Sequence, residues 1–301
     1  RLNYLNLQNN RFSGPLPAEI GKMTGLTLLD LTSNRFSGPL PEEMGRLIHL
    51  RSLLLSENEF SGELPETLGN LINLRNFYVK TNRLSGPFPV VLTKLVKLEY
   101  LNLSFNNFSG TIPAEIGNWE ELKHLYLWKN QFSGSIPPSI GKLRNLTELS
   151  LGENRLSGEL PKELGQLENL VTAYLNNNAF TGQIPNEMTR ASNLKYLNLN
   201  SNNLSGDLPD ELGNWEALES LLLGTFPPSI GKMKRLKFLS VFWNKMSGTL
   251  PSELGELENL EWLYLTNNRF SGTLPSSISN LKRLKILTIP NNTFSSFPEE
   301  L

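Results

Sequence analysis

The sequence predicts a solenoid of short, stacked, parallel strands, and three observations predict it. One unit recurs: Leu98, Leu101, Leu103, Asn106, Phe108, Gly110, Ile112, Pro113, Ile116 and Gly117 return 24 residues later as Leu122, Leu125, Leu127, Asn130, Phe132, Gly134, Ile136, Pro137, Ile140 and Gly141. One asparagine marks each unit, at Asn10, Asn34, Asn58, Asn82, Asn106, Asn130, Asn154, Asn178 and Asn202, then at Asn244, Asn268 and Asn292. Within a unit apolar and variable residues alternate, as in Leu101-Asn102-Leu103, the period of a half-buried strand. A chain of 301 residues would ordinarily be divided into about two domains. A fixed period overrides that expectation and gives one domain, residues 1–301, of about thirteen coils.

The strand opens each coil. Its leucines point to one side and its variable residues to the other, so one face is core and the opposite face is left for recognition. The strand period breaks at the marker asparagine, whose amide has two donors and an acceptor to satisfy turn backbone that neighbouring coils leave unpaired. Stacked, these residues form a ladder. The next apolar site holds Phe12, Phe36, Phe60, Phe108, Phe132, Phe180, Phe270 and Phe294, a spine of rings in the middle of the coils. Ser-Gly then permits a tight bend, and Ile-Pro or Leu-Pro imposes extended geometry. Pro113 to Gly117 reads as a single helical or 3₁₀ turn ended by its glycine. Trp119 and Trp215 replace the leucine that usually follows and are expected as partly buried core.

The complete pattern, L-x-x-L-x-L-x-x-N-x-[LF]-S-G-x-[IL]-P-x-x-[IL]-G-x-L-x-x-L, resembles the plant-specific class of leucine-rich repeats found in receptor-kinase ectodomains and polygalacturonase-inhibiting proteins. The resemblance covers essentially the whole chain. It implies an α/β right-handed solenoid with a concave parallel sheet, a second short sheet, and 3₁₀ or short helices on the convex side. It also implies an extracellular or cell-surface setting and a non-catalytic role, with a protein or peptide ligand and a co-receptor as partners. Two alternatives stay open: a soluble carbohydrate-binding or enzyme-inhibiting protein, and a structural or ice-binding solenoid. Regular threonine ranks would mark an ice-binding face, and only Thr225, Thr249 and Thr273 align. The family flanks its repeats with cysteine-bearing caps, and receptors add a signal peptide, one transmembrane helix and a kinase. The chain starts and stops in mid-repeat, so it reads as a fragment. After Leu223 about six residues of the repeat are missing before Gly224, by deletion or by omission of a loop.

Composition narrows the chemistry. A net charge of -1 gives no bias toward nucleic acid or anionic lipid, and no apolar run within this segment is long enough to enter a membrane. With Cys 0 there is neither a disulfide nor a thiolate metal site. His49 and His124, the only histidines, stand three coils apart, which leaves no pair for a metal and no serine triad. Gly21-Lys22, Gly141-Lys142 and Gly231-Lys232 fail the phosphate-loop pattern, because Met23, Leu143 and Met233 follow the lysines. Glu19, Glu43, Glu115, Glu163, Glu187, Glu211 and Glu253 share one repeat position, with Glu66 one residue before it, and read as a solvated stripe. No enzyme activity, cofactor or metal is expected. Sequons at Asn102, Asn107, Asn145, Asn203 and Asn291 are candidate glycosylation acceptors, although the repeat grammar itself generates N-x-S.

Function is expected at the variable strand positions, which the scaffold does not dictate. Coils four to six place Tyr78, Lys80, Tyr100, Phe105, His124, Tyr126, Trp128 and Lys129 there, and Tyr174 and Tyr196 follow. A second cluster comprises Phe238, Phe242, Trp243, Trp262 and Tyr264. Aromatic side chains on rigid strands anchor peptide and protein contacts and also stack on sugar rings. The competing reading is that aromatics are simply good strand formers. Tyr78, Tyr100, Tyr126 and Trp128 are expected to make one continuous strip. No basic pair of the kind that peptide-sensing relatives use to hold a ligand's carboxylate stands out.

Overall fold

The computed structural model describes residues 2–204, 209, 215, 218, 220–222, 228–241 and 247–299. The chain divides into two compact units, residues 1–155 and 156–301. In the first, the strands Tyr4–Asn6, Leu28–Asp30, Ser52–Leu54, Asn76–Tyr78, Tyr100–Asn102, His124–Tyr126 and Glu148–Ser150 pair in that order, all parallel. Alternation works as the sequence predicts: Leu29, Leu53, Leu101, Leu125 and Leu149 turn inward and are buried. A second parallel sheet forms at the Ser-Gly segment, from Ser13–Pro15, Arg35–Gly38, Glu59–Gly62, Arg83–Pro87, Asn107–Thr111 and Gln131–Gly134. In this unit, five-residue 3₁₀ helices such as Glu42–Arg46 and Ala114–Asn118 follow the proline of successive coils.

In the second unit Thr172–Tyr174, Tyr196–Asn198, Ser220–Leu222, Phe238–Ser240, Trp262–Tyr264 and Ile286–Thr288 pair in parallel. Leu197 opposes Leu221, and Leu221 opposes Leu239, so the shortened step between the last two strands leaves the register intact. The irregularity at Leu223 and Gly224, the ladder position Asn244 and the candidate residues Phe242 and Trp243 lie outside the described residues.

The ladder carries the fold. The Asn130 side-chain nitrogen donates to the carbonyls of Leu103 (3.0 Å) and Leu127 (3.2 Å), and its oxygen accepts from the Phe108 N–H (3.0 Å). One side chain thus satisfies backbone on its own coil and on the preceding one. Asn58 and Asn106 repeat the arrangement. Among the described residues the one before each ladder asparagine is left-handed, at φ 56° for Phe105 and φ 55° for Lys129, a strain the ladder holds in place. The ring spine forms in segments: Phe36 stacks on Phe12 and on Phe60 at 5.9 Å, and Phe108 stacks on Phe132 at 6.3 Å.

Two expectations need correcting. Trp119 and Trp215 are not partly but almost completely buried, at 0% and 1% exposure, and their indole N–H groups donate to the carbonyls of Leu92 and Met188. A tryptophan is tolerated there because its one polar atom has a partner. The glycine of the 3₁₀ segment does not end the helix. Gly45 lies inside Glu42–Arg46, and a Cβ on it would sit 2.5 Å from the Thr67 carbonyl oxygen on the next coil. The residue is small because coils pack there backbone to backbone, and the helix end needs no left-handed cap.

Candidate partner-binding face

The outward positions of the first unit form two rows instead of the single strip expected. One column of paired positions runs Asn76, Tyr100, His124, Glu148, and the other runs Tyr78, Asn102, Tyr126, Ser150. Period-two alternation causes the split, because each strand offers two outward residues that lie in separate columns. The aromatics reach across between columns. Tyr100 meets His124 edge-on at 4.7 Å between ring centres, and His124 meets Tyr126 at 5.6 Å.

Hydrogen bonds bind this cluster together. The Tyr126 hydroxyl donates to Glu148, and His124 Nδ1 lies 2.8 Å from the Tyr126 oxygen. Since the one phenolic proton is given to Glu148, Nδ1 is left to donate. Burial pushes the Tyr126 hydroxyl's pKa far above the ordinary tyrosine value, and the bond to Glu148 and that group's charge push the same way. Burial also raises Tyr78, with the Tyr100 phenol adding to it. Both phenols stay protonated throughout the physiological range.

A charged column lies beside the rings. Glu99 takes hydrogen bonds from Lys123 (2.7 Å) and from Arg75, and these hold its carboxyl below the usual carboxylate range. Lys123 also stands 5.9 Å from the Tyr100 ring centre. Phe105, 38% exposed, has the ammonium groups of Lys80 and Lys129 at 5.6 Å and 5.2 Å from its ring centre. The structure therefore does assemble two cations around an exposed ring, which chain order conceals. Tyr78, Tyr100, Tyr126 and Trp128 are half-buried, covered in part by their neighbours.

In the second unit Tyr174 is half-buried and Tyr196 is 41% exposed. Phe238 tilts against Tyr264 at 5.4 Å, and Lys285 lies 5.3 Å from the Trp262 ring centre. Asn176 and Asn200 bury their side-chain oxygens without a protein donor, so two acceptors stand on consecutive coils. Among the sequons, Asn107, Asn145, Asn203 and Asn291 are exposed. The amide nitrogens of Asn145 and Asn291 already donate, to Glu120 and Asn267, and a glycan there would have to displace those bonds. Asn102 is half-buried and its oxygen accepts from the Ser104 N–H.

Reading along the chain misses Arg75, Glu99, Lys123 and Glu148. Their signal lies in columns: Arg75, Glu99 and Lys123 are 24 apart at one repeat position, and Glu148 follows His124 by the same interval.

The sequence profile of the family described as Leucine Rich Repeat matches residues 1–23, 25–47, 49–71, 97–119, 121–143, 145–167, 193–215 and 259–281. The chain is a leucine-rich repeat protein. No curated protein matches it in sequence. Among solved structures these repeats are similar to the crystal structure of PEPR1–AtPEP1, with 39% identity and a TM-score of 0.91 over 99% of this chain and 43% of that one. They are similar to the plant peptide hormone receptor RGFR1 in complex with RGF2, with 35% identity and a TM-score of 0.90 over 97% of this chain and 48% of that one. They are also similar to the Arabidopsis receptor kinase HAESA in complex with the peptide hormone IDA and the co-receptor SERK1, with 35% identity and a TM-score of 0.80 over 96% and 53%. The leucine-rich repeats here span roughly half the length of these structures. Among the described residues no helix is long and apolar enough to cross a membrane.

Proposed function

We propose that this chain is the non-catalytic, extracellular recognition part of a plant-type receptor, and that it holds a peptide ligand against the open sheet face of residues 76–150. The observation that carries the reading is the Tyr100–His124–Tyr126–Glu148 cluster. It places aromatic anchors, an acid and hydrogen-bond donors on strands whose scaffold needs none of them. The similarity to receptor structures that contain peptide hormones supports the same reading, and the HAESA complex extends it to a co-receptor as second partner. Phe105 between Lys80 and Lys129 adds affinity for an acidic group on the ligand.

The test selects extended peptides from a displayed random library against the folded chain. Binding is then measured to the wild type and to a Tyr100→Ala/Tyr126→Ala variant. Each anchor is expected to contribute about 2 kcal/mol, the level of an interface hot spot. Equal affinity for both proteins would move the site to Tyr196, Trp262 and Tyr264, or off the sheet.

A further inference from the structure

A stripe of exposed aliphatic side chains lies away from the sheet face, in the turns that lead from each 3₁₀ helix into the next strand. Ile48, Ile72 and Val96 occupy one repeat position on three consecutive coils and are 47%, 57% and 50% exposed. At that position the other coils carry polar residues, among them Thr24, Glu120, Arg144 and Glu168. Single exposed aliphatics are ordinary, whereas three in register with polar residues before and after mark a contact surface. Its backbone is tied in place. The Asn73 amide nitrogen donates to the Ile48 carbonyl (3.1 Å), and its oxygen accepts from the Lys97 ammonium (3.0 Å), so three successive turns are linked along the stripe. A platform held this way loses little freedom on binding.

We propose that this stripe docks one amphipathic, acid-flanked α-helix of a partner protein. Spacing argues for a helix. Neighbouring coils repeat at about 4.8 Å, the separation of paired strands. A helix presents successive apolar side chains about 5.4 Å apart along its axis and drifts by roughly 1 Å over three contacts. An extended segment presents same-face side chains about 6.7 Å apart and drifts by roughly 4 Å. Charge argues for acidic flanks: Arg46, Arg51, Lys94 and Lys97 flank the stripe in the chain, and Glu99, the one carboxylate among residues 46–51, 70–75 and 94–99, is already engaged by Arg75 and Lys123. At the next coil Glu120 and Glu121 end the stripe with the opposite sign. Size argues against a second copy of the chain, since three half-exposed aliphatics offer far less than the roughly 800 Å² per partner that a stable globular interface buries.

The experiment uses a fluorescein-labelled synthetic helix with leucine at i, i+4 and i+7 and glutamate on both flanks, followed by fluorescence anisotropy against the folded chain. Two control peptides replace glutamate by lysine or recast the same residues as an alternating strand-former. The glutamate helix should bind best and should weaken with salt. It should lose at least about tenfold in affinity on an Ile48→Ser/Ile72→Ser/Val96→Ser variant. The melting temperature of that variant should stay near wild type, because the side chains are exposed. Undiminished binding to the variant, preference for either control peptide, or no binding of the glutamate helix overturns the proposal. So does a concentration-dependent dimer in sedimentation that the triple substitution abolishes, because the stripe would then belong to a second copy.

Discussion

Asn130 and Tyr126 stand four residues apart on one coil and do opposite work. Asn130 is buried, its amide satisfies backbone on two coils, and the same bonds recur at Asn58 and Asn106. Tyr126 is half-exposed and bonds to Glu148 and His124, partners that no other coil repeats. Recurrence marks what the scaffold needs, and singularity marks what it carries. In a repeat protein the two are separated residue by residue, because every coil must solve the same stacking problem and only some coils must recognise a ligand.

The ladder side of that comparison breaks first. Asn130→Leu strands the Phe108 N–H and the carbonyls of Leu103 and Leu127 inside the coil, which should lower unfolding free energy by about 3 kcal/mol or more. Denaturant unfolding reads the loss directly, and an unchanged midpoint would mean that the backbone groups find other partners. Next comes Gly45→Ala. The added methyl meets the Thr67 carbonyl at 2.5 Å, and separating the coils should cost about 1–3 kcal/mol in the same assay.

Both of those positions were within reach of the sequence, and to different degrees. The ladder, the phenylalanine spine and the inward leucines were legible because one chemistry recurs at fixed spacing. The 3₁₀ glycine was visible, but its reason was not. A helix-ending role and a close-packing role both select glycine, and only the distance to Thr67 separates them. The two tryptophans look like leucine replacements until the Leu92 and Met188 carbonyls are seen to accept their N–H groups. On the sheet face the sequence singled out Tyr100, His124 and Tyr126 yet arranged the two tyrosines, with Tyr78 and Trp128, as one strip. Alternation places Tyr100 and Tyr126 in different columns, and the charged residues that flank them, Glu99, Lys123 and Glu148, appear only when coils are laid beside one another.

The face side of the comparison should respond weakly in stability and clearly in titration. Tyr126→Phe removes the donor to Glu148, a group that water can reach, and should cost about 0.5–1.5 kcal/mol at neutral pH. Its hydroxyl has a folded pKa above the unfolded value near 10, so its contribution is complete below about pH 10 and is lost as pH rises through the folded value. Tyrosinate absorbance should show late-ionising groups in the wild type, from Tyr78 and Tyr126, and one fewer in Tyr126→Phe. Loss of a normally titrating phenol, with the late-ionising groups undiminished, would show that Tyr126 is not held as described.

The central claim is that a peptide lies on the Tyr100–His124–Tyr126 face, and hydroxyl-radical footprinting of the chain with and without a selected peptide tests it most directly, because oxidation reports side-chain exposure. Peptide binding should suppress oxidation of Tyr100, Phe105, His124 and Tyr126 while leaving Tyr4 and Phe297, both exposed, unchanged. Undiminished oxidation at Phe105 and Tyr126 beneath a saturating peptide would contradict the account.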